Sequence, residues 1–215
     1  MKDKTINLHE FIYQKVMKVL YGWDYRDVYS ISFFVYSNEA YEYKEYSNIS
    51  TFEISCNKET YFQKTYEQEK KFNEKYAFSL NVCDNPKYSE ARWNYASLEM
   101  DEISILDDQG YDLLFCWYKQ EGIDNIGYES DDCYDENMSY IGKGPNGYFE
   151  LLQVITAVAK RIQEEDYFLK TVGKRLPIII QDYELTYYVI DATIEANVHN
   201  EAADFLEFIK LYGYL

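Results

Sequence analysis

Apolar residues recur at helical spacing directly after the polar opening of the chain. Leu8, Phe11, Ile12, Val16, Val19 and Leu20 share one face of a helix. Asn7 followed by Glu10 resembles a capping box, with Asn in place of the preferred Ser or Thr, and Gly22 fits the stop after the last turn. The period then shortens to two. Tyr29, Ile31, Phe33 and Val35 alternate with Ser30, Ser32, Phe34 and Tyr36, which predicts a strand. Asn38 and Glu39 offer a turn into a second strand over residues 40–46. A third strand over residues 50–56 puts Phe52 and Ile54 on one face. The short connections predict antiparallel pairing.

Helical periodicity returns from residue 58 to 76, where Phe62, Thr65, Phe72 and Tyr76 form a thin apolar stripe among Lys and Glu. Residues 81–87 read as a loop broken by Pro86, and residues 91–106 fit a strand edge and a helix start equally well. Residues 109–120 predict a helix with Leu113, Leu114 and Trp117 inward and Gly122 as its stop. The cleanest helix follows, with Tyr148, Leu151, Leu152, Ile155, Val158, Ala159 and Ile162 on one wide face. A short buried strand over residues 176–180 and helices over residues 186–196 and 200–212 complete the chain. The last helix should turn Phe205, Leu206, Ile209 and Tyr212 inward. This order predicts an α+β fold: a mainly antiparallel sheet from the N-terminal half, packed with several helices, most of them C-terminal. The length and the lack of a Pro/Ser/Gly-rich linker predict a single domain over residues 1–215.

Charge changes the picture more than any motif. The chain carries a formal net charge of -17 and 25 tyrosines. Excess carboxylate repels nucleic acid and anionic membrane and attracts basic proteins. Tyrosine combines a flat apolar ring with one polar tip and is favoured in protein–protein contacts. Tyr, Asn, Lys, Ile, Phe and Glu share A/T-rich codons, so base composition also raises the tyrosine count. It favours Lys as much as Glu and accounts less well for the acidity. No apolar run is long enough to cross a bilayer, and the polar N-terminus lacks the apolar centre of a signal peptide. The expected compartment is the cytoplasm, where Cys56, Cys83, Cys116 and Cys133 would stay free thiols. Cys116, inside Leu113-Leu114-Phe115-Cys116-Trp117, reads as core. Carboxylates around Cys133 would make it a poor nucleophile.

Familiar catalytic and metal-binding patterns do not fit. His9 and His199 sit near opposite ends of the chain with no nucleophile motif beside either. No Cys/His spacing suits zinc, and the Asp131-to-Glu136 run lacks the order of a calcium loop. Residues 142–147, Gly-Lys-Gly-Pro-Asn-Gly, look like a phosphate cradle but lack the Gly-Lys-Ser/Thr ending, so a hinge and helix start explain them more cheaply. Gly173-Lys174-Arg175 reads as a helix stop. No catalytic residue, metal ligand or cofactor is expected. One stretch does concentrate chemistry. From Glu121 to Ile141 there is no Lys or Arg, and seven carboxylates: Glu121, Asp124, Glu129, Asp131, Asp132, Asp135 and Glu136. Tyr128, Glu129, Asp131, Asp132, Tyr134, Asp135 and Glu136 are the expected partner-binding set. The alternative reading is a small-ligand-binding or hydrolytic domain of unknown chemistry, with a pocket around Arg92, Trp93 and Tyr95 where a rare cation beside aromatics would clamp an anionic ligand. The competing explanation pairs Arg92 with a carboxylate and buries Trp93. A third reading is a structural or oligomer subunit, and nothing in the residues fixes an oligomeric state.

Four stretches carry a resemblance: Ser89-Glu90-Ala91-Arg92-Trp93-Asn94-Tyr95-Ala96, the run from Tyr134 through Ser139, Tyr140, Gly142 and Lys143 to Pro145, Leu176-Pro177-Ile178-Ile179-Ile180-Gln181-Asp182-Tyr183-Glu184 with Tyr188, and Thr193-Ile194-Glu195-Ala196-Asn197. Over about residues 25–210 the chain resembles a family of small, acidic, uncharacterised bacterial cytoplasmic proteins, some taken for immunity proteins of polymorphic toxin systems. The family often has His at the position of Gln181, so a role tied to that imidazole would be missing here. The resemblance implies a non-enzymatic inhibitor that binds one basic toxin, such as a nuclease domain, and covers its active site. An acidic inhibitor of that kind gains association rate by electrostatic steering, and aromatic anchors supply most of its affinity.

Overall fold

The computed structural model describes residues 6–38, 42–76, 85–99, 101–129, 133, 136 and 140–214. In chain order its elements are α1 (Leu8–Leu20), β1 (Val28–Ser37), β2 (Glu42–Tyr43), β3 (Tyr46–Ser47), β4 (Ser50–Lys58), α2 (Glu59–Tyr76), α3 (Glu90–Trp93), β5 (Ile103–Ser104), α4 (Asp108–Glu121), α5 (Tyr148–Glu164), α6 (Tyr167–Val172), β6 (Ile178–Gln181), α7 (Tyr187–Ala196) and α8 (Ala203–Leu211). The fold is α+β. Single 3₁₀ turns flank α3 at Pro86–Tyr88 and Tyr95–Ser97.

The main sheet runs β5-β4-β1-β6. β1 pairs antiparallel with β4, from Val28 opposite Lys58 to Ser37 opposite Ser50, and β4 pairs antiparallel with β5. β6 joins the free side of β1 in parallel, with Ile31 opposite Ile178 and Phe34 opposite Gln181. The sheet is therefore mixed: the antiparallel part comes from the N-terminal half and the parallel edge from the C-terminal half. The second expected strand falls partly on residues 39–41, outside the described residues. Its described portion forms the small β2–β3 hairpin.

β1 is buried on both faces. Ile31, Phe33 and Val35 join Phe52 and Ile54 of β4, Ile178 and Ile180 of β6, and the apolar faces of α1 and α5 in the larger core. The opposite face carries Ser30, Ser32, Ser55, Asn57 and Gln181, all buried. Asn57 Nδ2 donates to Ser30 Oγ at 2.9 Å and Ser32 Oγ at 2.8 Å, and Ser32 Oγ donates to Gln181 Oε1 at 3.2 Å. Those bonds offset the desolvation of polar groups inside the fold. A register shift between Val28 and Ser30 turns Tyr29 away from the Ile31 face that simple alternation predicts. Its ring meets Phe62 and Trp93 instead.

β6 is an edge strand, and α7 covers its open side with side chains. Thr193 Oγ1 accepts from Ile180 N and donates to Ile180 O, at 3.0 and 3.1 Å. One turn later, Asn197 Oδ1 accepts from Ile178 N at 3.0 Å and its Nδ2 donates to Ile178 O at 2.7 Å. Residues four apart on a helix share a face, so this pair satisfies two strand positions as a neighbouring strand would. The same bonds tie the C-terminal end of α7 along β6.

Several local expectations hold. Asn7 caps α1 through Glu10 N at 3.0 Å, but the box closes only halfway, because the Glu10 carboxylate turns to Gln14 and Arg161. Gly122 ends α4 with φ of 72°. Two differ. Leu114, Phe115 and Tyr118 form the buried stripe of α4, while Leu113 and Trp117 are only half-buried. Cys116 is exposed rather than core, since it lies two residues, more than half a turn, from both Leu114 and Tyr118.

Candidate functional site

β1 and β6 run parallel, so both chains leave the sheet at the same end. β1 finishes at Ser37, and β6 leads into Asp182, Tyr183, Glu184 and then α7. A third segment closes that end. Residues 140–147 lead into α5, and Gly144 takes φ of +82°, where a Cβ would stand 2.6 Å from the Tyr148 ring. The glycine-rich run that imitates a phosphate loop is thus a tight wall against Tyr148.

Between these segments lies a cleft of about 240 Å³, lined by Ser37, Glu129, Tyr140, Tyr148, Asp182, Tyr183, Glu184 and Tyr188 among others. Tyr148 OH donates to Asp182 Oδ2 at 2.6 Å, and Tyr183 N donates to Asp182 Oδ1 at 2.6 Å. Burial pushes the Asp182 carboxyl above its ordinary range, with its hydrogen bonds opposing the shift. Burial also raises the Tyr148 phenol well above its usual value, and the neighbouring Asp182 adds to it. Tyr140 OH donates to Glu129 and accepts from Gly144 N at 2.7 Å. Its phenol is raised, first by burial and then by Glu129.

Tyr188 separates this cleft from a second hollow of about 430 Å³ between α5 and α7, lined by Lys143, Phe149, Gln153, Tyr187, Tyr188, Asp191 and Glu195 among others. Tyr188 is an edge-on partner to Tyr148, Phe149 and Tyr187, with ring centroids 6.0, 6.2 and 5.3 Å away. Exposed rings stand at the rim: Tyr128 is 61% accessible, Tyr183 52% and Tyr187 51%. Glu129, Asp182, Glu184, Asp191 and Glu195 line the two hollows, against one cation, Lys143. Lys143 Nζ sits 4.1 Å above the Phe149 ring. Glu195 is paired with Lys160 at 3.3 Å.

Of the expected partner-binding set, Glu129 lines the smaller cleft and Tyr128 is held beside it, its carbonyl accepting from Asn146 N at 2.9 Å. Glu136 is exposed. Asp131, Asp132, Tyr134 and Asp135 lie outside the described residues. Cys133 O accepts from Ile141 N at 2.7 Å.

The alternative set separates into two places. Arg92 is engaged: its guanidinium meets Glu59 at 3.0 and 3.1 Å and lies 4.1 Å from the Tyr29 ring centroid and 4.7 Å from that of Phe62. Trp93 is buried against Phe205, with Nε1 donating to Lys87 O at 2.8 Å. Tyr95 goes elsewhere, stacked on Phe34 at 4.4 Å and packed edge-on to Tyr183 at 5.7 Å. It therefore backs the wall of the cleft. His9 and His199 are far from it in the chain, and His199 lies 3.7 Å from Asp166.

The site residues that sequence reasoning did not select are Tyr140, Tyr148, Asp182, Tyr183, Glu184, Tyr187, Tyr188, Asp191 and Glu195. For part of them a signal was present: an Asp-Tyr-Glu run between a buried strand and a helix, with a Tyr-Tyr pair after two further residues. Taken together, fold and site define an α+β protein with a tyrosine-walled, carboxylate-lined cleft at the open end of a parallel strand pair. No protein-family model matches the chain, and neither a curated protein nor a solved structure matches it significantly. Among the described residues no helix is long and apolar enough to cross a membrane, and no group of three or more His, Cys, Asp or Glu is placed to hold a metal ion.

Proposed function

We propose that this chain is a non-enzymatic binding protein of the cytoplasm, an immunity- or antitoxin-type inhibitor that holds a basic toxin through an acidic, tyrosine-rich surface. The observation that carries this reading is the coincidence of exposed tyrosine and carboxylate around one cleft, on a chain of net charge -17. Exposed Tyr183 and Tyr187 supply apolar contact at small entropic cost, as interface aromatics do. The surrounding carboxylates steer a cationic partner and penalise an anionic one. Where the toxin is a nuclease, the same carboxylates occupy the place of the phosphate backbone.

The anion-clamping pocket at Arg92 has less support, because both terminal nitrogens of that guanidinium already face Glu59. Co-expression with the product of the adjacent gene tests the proposal. Rescue of growth is expected. If the neighbour is toxic and this chain gives no protection, the inhibitor reading is wrong.

A further inference from the structure

We infer that the hollow between α5 and α7 is a socket for one arginine side chain projecting from the basic partner. The inference rests on the binding reading above and names where and how that surface takes hold. Three features converge on it. The hollow of about 430 Å³ has aromatic walls in Phe149, Tyr187 and Tyr188. Asp191 stands exposed at its side and has no partner among the described residues. Most informative, the hollow already holds a cation on an aromatic face: Lys143 Nζ lies 4.1 Å over the Phe149 ring. That lysine is exposed and sits between Gly142 and Gly144, on a loop rather than on the helix.

Lys143 therefore shows the chemistry the socket accepts. An ammonium ion over a ring is held by the ring quadrupole. A guanidinium is less strongly hydrated, stacks flat on the ring and can offer paired N–H groups to a carboxylate at the same time. An incoming arginine gains both Phe149 and Asp191, whereas Lys143 has the ring alone. Lys143 is displaced by the partner and acts as a weak internal competitor. Removing a positive charge at this position should then strengthen binding by more than its effect on net charge.

A short oligo-arginine peptide, titrated calorimetrically at low salt into the full-length protein, tests this. Asp191→Asn is expected to weaken binding about tenfold. Glu67→Gln, an equal change in charge on the exposed face of α2, should change it far less. Lys143→Ala should tighten binding about threefold, more than Lys71→Ala on α2 does, and the gain should vanish in a Phe149→Leu background. All are exposed or half-buried positions, and circular dichroism verifies that each variant folds. If the socket variants and their α2 counterparts respond alike, the socket is wrong while the acidic-surface reading stands. If the wild-type protein does not bind the peptide at low salt, both fall.

Discussion

Two places in this molecule set a cation against aromatic rings, and they differ in what is left over. At Arg92 the guanidinium lies against Tyr29 and Phe62 and is ion-paired with Glu59, and its side chain is only 16% exposed. At Lys143 the ammonium rests on Phe149 in the open, with free carboxylate nearby. The first is closed chemistry. It joins α2 to α3, and of its nitrogens only the buried Nε is left without a partner. The second is the same chemistry left accessible. Residue type alone does not separate the two, because a cation beside an aromatic is present in both. Burial and an internal counter-ion decide.

The largest effect is expected where the frame of the open site is fixed. Asn197→Ala removes the side chain that satisfies both Ile178 N and Ile178 O and leaves Thr193 alone to bond α7 to β6. It should cost about 2–4 kcal/mol in urea unfolding, the range for stranding buried polar groups. Arg92→Ala should cost about 2 kcal/mol, below the figure for a fully buried pair because Glu59 is partly solvated. A cost near zero would show that Arg92 is not structural and would remove the contrast between the two sites. Lys143→Ala, by comparison, should leave stability within about 0.5 kcal/mol.

Asp182 gives a pH test of the smaller cleft. Its folded-state pKa is raised by burial, so the folded chain holds that proton more tightly than the unfolded chain does. The contribution is full below the ordinary carboxylate value and is lost as pH rises through the raised value. Asp182→Asn should therefore flatten the decline in stability over that window, read from urea midpoints across a pH series. An unchanged slope would place Asp182 in water.

The helices were legible where a long apolar stripe repeats, as in α1 and α5, and where glycine ends the run, as at Gly122. The α+β class followed from the order of those elements. What could not be read was long-range. Nothing local tells Ile178–Gln181 to lie parallel to β1, or Thr193 and Asn197 to stand in for a further strand. α6, at six residues, is too short to announce itself by period. The site was half legible. Charge and tyrosine count pointed to an acidic aromatic surface, and Glu129 was among the residues selected. The cleft itself is assembled from a strand end, a glycine wall and a helix start that only tertiary pairing brings together. At Arg92 the residues allowed either an anion site or an internal ion pair, and the structure shows the pair, though its partner Glu59, thirty-three residues away, could not be named from the sequence.

The central claim is that fixed anionic and aromatic surface, not bond-making chemistry, is what this protein offers a cationic partner. The most direct measurement is the association rate between it and the basic protein proposed as its partner, followed by stopped flow across ionic strength. The rate should fall about tenfold or more from low to physiological salt. A rate that stays flat as salt is added would contradict the claim.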